Sequence, residues 1–478
     1  MSQAATAELL FSPATELAGL VRSGEIAARE LVEASLERIE ELNPHLNAFV
    51  EVLGDRALAE ADAVAPGDER PLAGVPIAIK GNRPVAGGLF TYGSRMMGDH
   101  RADYDHGVVR RLREAGAIVV GTTTIPEWGI LPWTSTRRYG PTRNPWDLKR
   151  TSGGSSGGSA AALAAGMVAL AHGNDGGGST RIPAACCGLV GLKPQRNRIS
   201  QAPDLGDSDL ATDGVLTRTV GETAMALDIL AGYELGDANW APPPSEPFAQ
   251  AALRDPGRLR IALTTFSPLE AEVDPVAVRA THDAGRLLES LGHHVEEVEP
   301  PWRVPGLLEQ FTALFGPLVM LQVMHAQLLT GREATEEDLE PLSWALLGLC
   351  QKMTSLEAHG ARAMLQIFSR SIVAWGDSYD AILTPALAEA PVLLDTVGPE
   401  TDDPMGLFAR SGRFTPFTAG ANISGQPAIS LPLYAREDGL PLAVQLIGRP
   451  AQEGALLALA TQIEQAHPWG QRRPPTPG

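Results

Sequence analysis

The segment Asp-Gly-Gly-Gly-Ser-Thr-Arg-Ile-Pro, residues 175–183, is the most informative part of this chain. Its three glycines let successive backbone N–H groups converge just before Ser179, because no Cβ atom stands in the way. A loop of that kind can stabilise an oxyanion beside a nucleophilic hydroxyl. Two further segments are also informative. One is the apolar strand Val-Pro-Ile-Ala-Ile-Lys at residues 75–80, which ends on Lys80, and the other is the glycine- and serine-rich turn Gly-Gly-Ser-Ser-Gly-Gly-Ser at residues 153–159.

The two glycine-rich runs do not match the common classes of glycine-rich segment, which are flexible linkers, phosphate-binding loops and nucleophile elbows. Runs of glycine and serine often form flexible linkers, but both runs here stand between apolar segments. A phosphate-binding loop needs a closing Gly-Lys-Ser/Thr, which neither run has. A nucleophile elbow needs a closing glycine, which residues 177–181 lack. His172 is the histidine nearest to Ser179 in the sequence, so a Ser–His pairing stays open, although no aspartate partner for it is indicated.

The composition is ordinary for a globular protein with a large core. The chain has 478 residues, 44% of them hydrophobic and 20% charged, a length that one compact α/β unit can reach. Its net charge of −19 repels phosphate backbones, so nucleic acid is not an expected partner. Residues 1–6 show no basic and apolar leader, and no run approaches the roughly 18 apolar residues of a membrane span. Three cysteines cannot form a disulfide framework, and we expect a cytoplasmic protein.

Hydrophobic periodicity predicts an α/β fold. Residues 25–42 form a predicted amphipathic helix that Asn43-Pro44 should end. Residues 237–258, rich in proline and polar residues, predict a surface crossover, and residues 472–478 a loose tail. Two further helices are predicted at residues 157–170, directly after Ser156, and at residues 277–291. Short apolar runs predict strands of one large sheet at residues 116–121, 259–262, 381–383, 428–433 and 443–447.

Lys80, Ser155 and Ser179, with their flanking residues, resemble the three anchors of the amidase signature family in the same order. Members of that family are serine hydrolases that use Ser-Ser-Lys where others use Ser-His-Asp. The resemblance is strongest over residues 71–232 and continues more weakly to both ends. It therefore implies one amidase signature domain over residues 1–478, built on a large mixed, twisted β-sheet sandwiched between helices.

The resemblance assigns a role to each anchor. Ser179 attacks the carbonyl, Ser155 relays the proton, and Lys80 is the final base, which must be neutral to act. Burial and the positive end of the following helix would lower its pKa from the usual value of about 10.4. A cis peptide is implied before Ser155. The oxyanion hole is predicted from the backbone N–H groups of Gly176, Gly177, Gly178 and Ser179.

Further residues are implied to support the loop or to face the substrate. Ser156, Asp175 and Arg181 are predicted structural supports. The residues predicted to contact substrate are Trp128, Gly129, Ile130, Trp133 and Cys350. For the two tryptophans and the cysteine, packing in the core is an open alternative to lining the pocket. No metal ligand and no cofactor is predicted, since the adjacent cysteines Cys186 and Cys187 are too closely spaced for zinc.

Within the family, residues 144–146, 171–175 and 191–194 look most like the corresponding segments of nylon-oligomer (aminohexanoate cyclic dimer) hydrolases. The implied activity is hydrolysis of C–N bonds in linear or cyclic amides, with carbamate (urethane) cleavage and esterase side activity. The expected partner is a small-molecule amide or carbamate, without nucleic acid or membrane, and the expected state is a monomer or homodimer. Residues 300–375, where the family varies most, are rich in aromatic and methionine side chains and allow a roomy apolar pocket.

Two other functions stay open. One is the amidase subunit of a tRNA-dependent amidotransferase. That subunit usually carries Gln where this chain has Ile182, and the negative net charge suits a tRNA-bound assembly poorly. The other is a non-catalytic binding protein on the same fold, against which the three intact anchors argue.

Overall fold

The computed structural model describes residues 8–475 of the chain. Its strands are β1 (Phe49–Val52), β2 (Pro76–Lys80), β3 (Ile118–Thr123), β4 (Ser135–Thr136), β5 (Gly140–Pro141), β6 (Arg143–Asn144), β7 (Asp147–Thr151), β8 (Leu170–Asp175), β9 (Val190–Lys193), β10 (Thr212–Thr217), β11 (Arg260–Leu263), β12 (His294–Glu297), β13 (Ala381–Pro385), β14 (Ala428–Ala435) and β15 (Pro441–Gly448).

The helices of the described chain surround the strands. They are α1 (Ala14–Ser23), α2 (Ala28–Leu46), α3 (Gly54–Asp62), α4 (Gly107–Glu114), α5 (Gly157–Ala164), α6 (Arg181–Cys187), α7 (Val220–Leu230), α8 (Phe248–Ala251), α9 (Pro275–Ser290), α10 (Leu307–Thr330), α11 (Pro341–Lys352), α12 (Ser355–Gly376), α13 (Pro404–Phe414), α14 (Ala419–Ser424) and α15 (Glu453–Ala466), with 3₁₀ turns at Arg95–Met97 and Glu127–Gly129.

One eleven-stranded mixed sheet forms the centre of the molecule, in the order β1-β3-β2-β8-β10-β9-β14-β15-β13-β11-β12. β2 runs parallel to both β3 and β8, while β10 is antiparallel to β8. Every residue of β2 and of β8 is buried, as expected for strands covered on both faces. The predicted α/β class with a large mixed sheet sandwiched between helices is confirmed.

Two predicted helix ends differ from the structure. α2 continues through Pro44 to Leu46, because the side chain of Asn43 accepts hydrogen bonds from the N–H groups of Ala48 (2.8 Å) and Phe49 (2.9 Å) and so closes the helix beyond the proline. The predicted helix 157–170 stops at Ala164, where Gly166 turns the chain with φ +69° into β8.

The predicted crossover at residues 237–258 contains only the short helix α8 among its regular elements and leads to β11. The predicted loose tail is wrong for its first residues. The guanidinium of Arg473 lies 4.3 Å from the ring centroid of Phe11, and Arg472 donates to the carbonyl of Pro432. Residues 476–478 of that tail, and residues 1–7 where a leader was sought, lie outside the described part of the chain.

The expectation that no segment is apolar enough for a membrane span is wrong for one helix. α10 has the length and composition of a span, with 28% of its most apolar 18-residue window buried inside the molecule. Core helices of water-soluble proteins pass the same test, and α10 packs against α11 and α12. It also bears Phe311 and Phe315, which line the cavity described below.

Candidate active site

Lys80 is the last residue of β2 and is completely buried. Its amine nitrogen Nζ donates to Ser155 Oγ at 2.8 Å and to the backbone carbonyl of Asn174 at 3.1 Å. The strand brings the amine to this point because β8, which ends in Asn174 and Asp175, lies directly beside β2 in parallel register. The structure therefore joins two of the three predicted catalytic side chains.

The serine turn and the glycine loop meet through their backbones. The Gly154–Ser155 peptide is cis, as the resemblance implied. Ser156, at the N-terminus of α5, donates its N–H to the carbonyl of Ser179 at 3.2 Å, and its hydroxyl lies 3.4 Å from the Asn174 carbonyl. Ser155 is 2% exposed, whereas Ser179 is half-buried and lines a cavity. The candidate nucleophile Ser179 thus faces the cavity, and the contact between Lys80 and Ser155 is buried.

The glycine loop leaves three of its four predicted oxyanion donors available. Gly176, Gly177 and Ser179 line the cavity, and among the described residues no acceptor is found for their N–H groups. The fourth prediction is wrong, because the N–H of Gly178 donates to Asp175 Oδ1 at 2.7 Å. Gly178 instead serves the shape of the loop: its φ is +129°, and a Cβ there would lie 2.4 Å from Thr418 Oγ1.

A buried ion pair holds the loop in place. The guanidinium of Arg181 donates to both oxygens of Asp175, each at 3.0 Å, and both side chains are almost fully buried. It holds the pKa of that carboxyl well below its usual range against the opposing effect of burial. Asn422 Nδ2 adds a hydrogen bond of 2.9 Å to Asp175, and Thr418 Oγ1 donates to the carbonyl of Gly177 at 2.7 Å. The structure thus places Asp175 and Arg181 where supports of the loop are expected.

His172 does not join either serine. Its Nε2 lies 3.1 Å from Asp213 Oδ1, so an Asp–His pair exists that the sequence did not indicate. The other ring nitrogen, Nδ1, is buried and has no hydrogen-bond partner among the described residues. Burial also lowers the pKa of the imidazole. A Ser–His base is therefore not supported by the geometry.

The environment of Lys80 favours its neutral form. Burial is the largest effect and, with the nearby cation of Arg83, lowers the pKa of Lys80 from 10.5 to about 7. The carboxylates of Asp175 and Asp213 act in the opposite direction and are smaller effects. A lysine in this state can accept a proton near neutral pH, which an exposed lysine cannot do.

A cavity of about 950 Å³ opens over Ser155 and Ser179. Trp128, Gly129 and Ile130 line it, as predicted for substrate-contacting residues. The two other residues predicted to contact substrate, Trp133 and Cys350, do not line the cavity. Trp133 is completely buried away from the lining. The thiol of Cys350 on α11 faces α10, 3.3 Å from where a Cβ of Gly316 would stand.

The cavity wall beside the serines includes the backbone of Gly129, which comes close to the hydroxyl of Ser155. Gly129 has φ +72°, and a Cβ there would lie 3.2 Å from Ser155 Oγ. The preceding Trp128 packs on Tyr92 with ring centroids 5.2 Å apart. Buried Glu127 anchors this turn, because its carboxylate accepts from Ser94 Oγ at 2.7 Å and from the N–H of Glu340 at 2.9 Å.

The opposite wall is aromatic. Phe311 and Phe315 on α10 stack with centroids 5.3 Å apart, and Phe315 stacks on Phe408 at 6.2 Å. The ring of Phe311 lies next to the glycine loop, 3.4 Å from where a Cβ of Gly177 would stand. Residues 300–375 thus contribute apolar lining, as their composition allowed. Over residues 8–475, no group of three or more His, Cys, Asp or Glu could hold a metal ion.

Comparison with known proteins identifies the family of this chain. A family model described as Amidase matches residues 30–457. The putative amidase AmiB2 of Mycobacterium tuberculosis is 40% identical over 98% of both chains. The 6-aminohexanoate-cyclic-dimer hydrolase of Paenarthrobacter ureafaciens is 36% identical over 97% of both chains.

Solved structures give the same result. A 6-aminohexanoate cyclic dimer hydrolase complexed with substrate superposes with a TM-score of 0.92 at 35% identity, covering 97% of this chain and 99% of that one. A bacterial aryl acylamidase of the amidase signature family gives a TM-score of 0.86 at 26% identity, covering 96% of this chain and 97% of that one.

The chain therefore belongs to the amidase signature family, and the predicted family is confirmed. It is an amidohydrolase, an enzyme that hydrolyses amides.

Proposed function

We propose that this amidohydrolase cleaves C–N bonds through an acyl-enzyme on Ser179, with Ser155 and Lys80 as the proton relay. The observation that carries the proposal is the buried contact of 2.8 Å between Lys80 Nζ and Ser155 Oγ, at the cavity that Ser155 and Ser179 both line. A serine hydroxyl is a weak nucleophile without a base, and this amine is the base that the geometry supplies.

The reaction proceeds in two halves. Ser179 Oγ bonds to the substrate carbonyl carbon while its proton passes to Ser155 Oγ, and the Ser155 proton passes to neutral Lys80. The C–N bond then breaks as the proton returns through Ser155 to the leaving nitrogen, because an amine departs readily only when protonated. Water then attacks the acyl carbonyl carbon while its proton passes through Ser155 to Lys80, and the bond from Ser179 Oγ to that carbon breaks as the proton returns through Ser155 to Ser179 Oγ, which releases the acid.

The glycine loop supports the negative charge of the tetrahedral intermediate. The N–H groups of Gly176, Gly177 and Ser179, which have no acceptor within the described part of the chain, are the donors proposed for the oxyanion. One such donor typically contributes about 3 kcal/mol to the transition state. The ion pair of Asp175 and Arg181 fixes the loop before substrate arrives, so the donors need little reorganisation during the reaction.

The pH dependence should follow the protonation of Lys80. Since the neutral amine is the active form and its pKa is lowered to about 7, kcat/KM should fall about tenfold per pH unit below that value and level off above it. The measurement is kcat/KM across mildly acidic to alkaline pH with an ester and an amide substrate. A profile that rises only where a free lysine titrates, at about pH 10, would contradict a buried neutral lysine.

Lys193 is the matched control for this measurement. Burial also lowers its pKa to about 7, but its amine donates to the carbonyl of Pro194 and the residue does not line the cavity. Lys193→Met should keep the acid limb, which is the fall of kcat/KM below about pH 7. If the variant loses this limb, its assignment to Lys80 is wrong.

We further propose neutral amides and aryl carbamates with apolar flanks as the substrates. The cavity of about 950 Å³ has an aromatic wall, which suits uncharged, extended or cyclic molecules. The similar cyclic-dimer hydrolase supports a cyclic diamide as one of them. The relay delivers a proton to any leaving nitrogen, so it permits both amides and carbamates, and the pocket must select between them.

A substrate panel tests this choice. Anilides, cyclic diamides and aryl carbamates should turn over, and an anilide should be faster than an alkyl amide of similar size if amine departure limits the rate. Free glutamine and asparagine should be poor substrates because the aromatic part of the cavity wall suits uncharged molecules. Efficient turnover of glutamine, with anilides and carbamates inert, would overturn the proposal in favour of the amidotransferase-like alternative.

That alternative has less support from the chain itself. Ile182 stands where the amidotransferase's amidase chain usually has Gln, and its side chain lines the cavity. The net charge of −19 disfavours a tRNA-bound assembly. Cytoplasmic location, a monomeric or homodimeric state and esterase side activity stay predictions.

A further inference from the structure

A buried carboxylate that the proposed mechanism does not use lies close to the catalytic lysine. Asp213 on β10 is completely buried. It accepts five N–H donors from four side chains, namely Arg83 Nε (2.9 Å) and Nη2 (2.8 Å), Gln201 Nε2 (2.8 Å), His172 Nε2 (3.1 Å) and Asn174 Nδ2 (3.2 Å). So many donors fix both the ionised form and the position of this carboxylate.

The cluster reaches Lys80 through Asn174. The side chain of Asn174 is held by Asp213 and by Asn82, whose Nδ2 donates to Asn174 Oδ1 at 3.3 Å. The backbone carbonyl of the same residue accepts from Lys80 Nζ at 3.1 Å. Because, within residues 8–475, that carbonyl and Ser155 Oγ are the two hydrogen-bond partners of the amine, the position of the carbonyl decides how the amine is oriented toward Ser155.

Charges near Lys80 come in two matched pairs. Asp175 on β8 is paired with Arg181, and Asp213 on β10 is paired with Arg83, which follows Lys80 by three residues. Arg83 lowers the pKa of Lys80, while both aspartates raise it. The two members of the Arg83–Asp213 pair therefore act on the lysine in opposite directions.

The remaining titratable groups around the pair are neutral or already engaged. Burial lowers the pKa of His172, and burial together with Arg83 lowers the pKa of His106 to about 3. Asp204, on the other side of Arg83, accepts the hydroxyl of Tyr104 at 2.5 Å. Among the described residues, these groups leave Lys80 as the one in the cluster whose charge changes near neutral pH.

We propose that Arg83 and Asp213 form a positioning pair for Lys80, in which Arg83 holds the carboxylate of Asp213, Asp213 holds the side chain of Asn174, and the backbone carbonyl of Asn174 orients the amine toward Ser155. The inference rests on the proposed role of Lys80 as the base. It assigns both residues an action through Lys80, although Arg83 also lines the cavity.

Opposite substitutions should move the acid limb of kcat/KM in opposite directions. Arg83→Gln removes the cation and should move the midpoint of the acid limb to higher pH by roughly one unit. Asp213 keeps three other donors in this variant and therefore stays ionised. Asp213→Asn should lower the limb by a similar amount. The double variant should return the limb close to the wild-type position while kcat stays low, since the positioning contacts are lost.

Two further variants separate charge from geometry. Arg83→Lys keeps the cation but not the two-pronged contact, so kcat should fall with the limb unmoved. The matched control is another buried ion pair, Arg198 and Glu453, which is joined at 2.7 Å and, among the described residues, makes no hydrogen bond to Lys80, Asn174 or Asp213. Arg198→Gln should destabilise the fold and leave the limb in place.

The relay and the positioning pair can be refuted separately. Labelling of wild-type Ser179 by a serine-directed phosphonate, measured across the same pH range, shows whether the relay operates. If Ser179 takes up no label at any pH, the proposed function fails. If the relay operates and the Arg83 and Asp213 variants shift the limb in the same direction or not at all, only the positioning pair is refuted. If Asp213→Asn does not fold, the comparison of Arg83→Gln with Arg83→Lys decides: a shift in the first alone supports the pair, and any other pattern overturns it.

Discussion

Ser179→Ala is expected to lower kcat/KM by about 10⁶-fold, the loss typical of removing the nucleophile from a serine hydrolase. No acyl-enzyme can form without its hydroxyl, and the neighbouring Ser155 is 2% exposed and engaged with Lys80. Activity is measured with the best anilide from the substrate panel, and thermal unfolding verifies that the variant is folded. Because Ser179 is half-buried and its hydroxyl makes no hydrogen bond to another described residue, stability should hardly change.

Ser411 provides the matched control. It lines the same cavity, but its hydroxyl donates to the carbonyl of Phe408 within α13 at 2.6 Å. Ser411→Ala should keep kcat within a few-fold of the wild type. Residual activity of Ser179→Ala comparable to that of Ser411→Ala would mean that Ser179 is not the nucleophile.

Lys80→Ala and Ser155→Ala should each lower kcat by about 10²- to 10⁴-fold, the range for loss of general base catalysis. The double variant should lose little more than the worse single variant, because the two side chains act as one relay joined at 2.8 Å. The measurement is a double-mutant cycle on kcat under single-turnover conditions, which excludes product release.

The same cycle with Ser411→Ala in place of Ser155→Ala should be additive within about 0.5 kcal/mol, as for independent sites. Losses from Lys80 and Ser155 that simply multiply would show that the two residues act separately and would remove the relay from the mechanism.

The sequence predicted the anchors of the site because their signals are local. The glycine run before Ser179, the turn at residues 153–159 and the apolar strand ending in Lys80 each fix a backbone shape from neighbouring residues alone. The family and the large mixed sheet were predicted from the resemblance that these segments carry, and the α/β class from hydrophobic periodicity. The fully buried β2 confirms the strand predicted at residues 75–80, whereas β8, Leu-Ala-His-Gly-Asn-Asp, is not an apolar run and was not predicted.

Contacts between remote residues carried no such signal. Asn422 and Gln445, which both accept from Arg181, lie far beyond it in the chain, 241 and 264 residues away. Arg83 stands three residues after Lys80, but its partner Asp213 is placed by the pairing of β10 with β8, which the sequence alone did not predict.

Side-chain direction was the other limit. Nothing local distinguishes Trp128, which faces the cavity, from Trp133, which is buried in the core. Cys350 stands on a helix whose rotation is set by packing against α10, so its thiol points at Gly316 rather than into the cavity. The lost oxyanion donor at Gly178 has a local cause that could have been found, because an aspartate a few residues earlier commonly accepts such an N–H group.

The most direct test of the mechanism is to locate the covalent bond. The protein is treated with an aryl fluorophosphonate, its intact mass is recorded, and the labelled peptide is sequenced by tandem mass spectrometry. We predict one adduct, on Ser179, absent from Ser179→Ala and formed more slowly as the pH falls below about 7 and Lys80 becomes protonated. An adduct on Ser155 or on another residue, or full amidase activity in a protein that takes up no label, would contradict the mechanism.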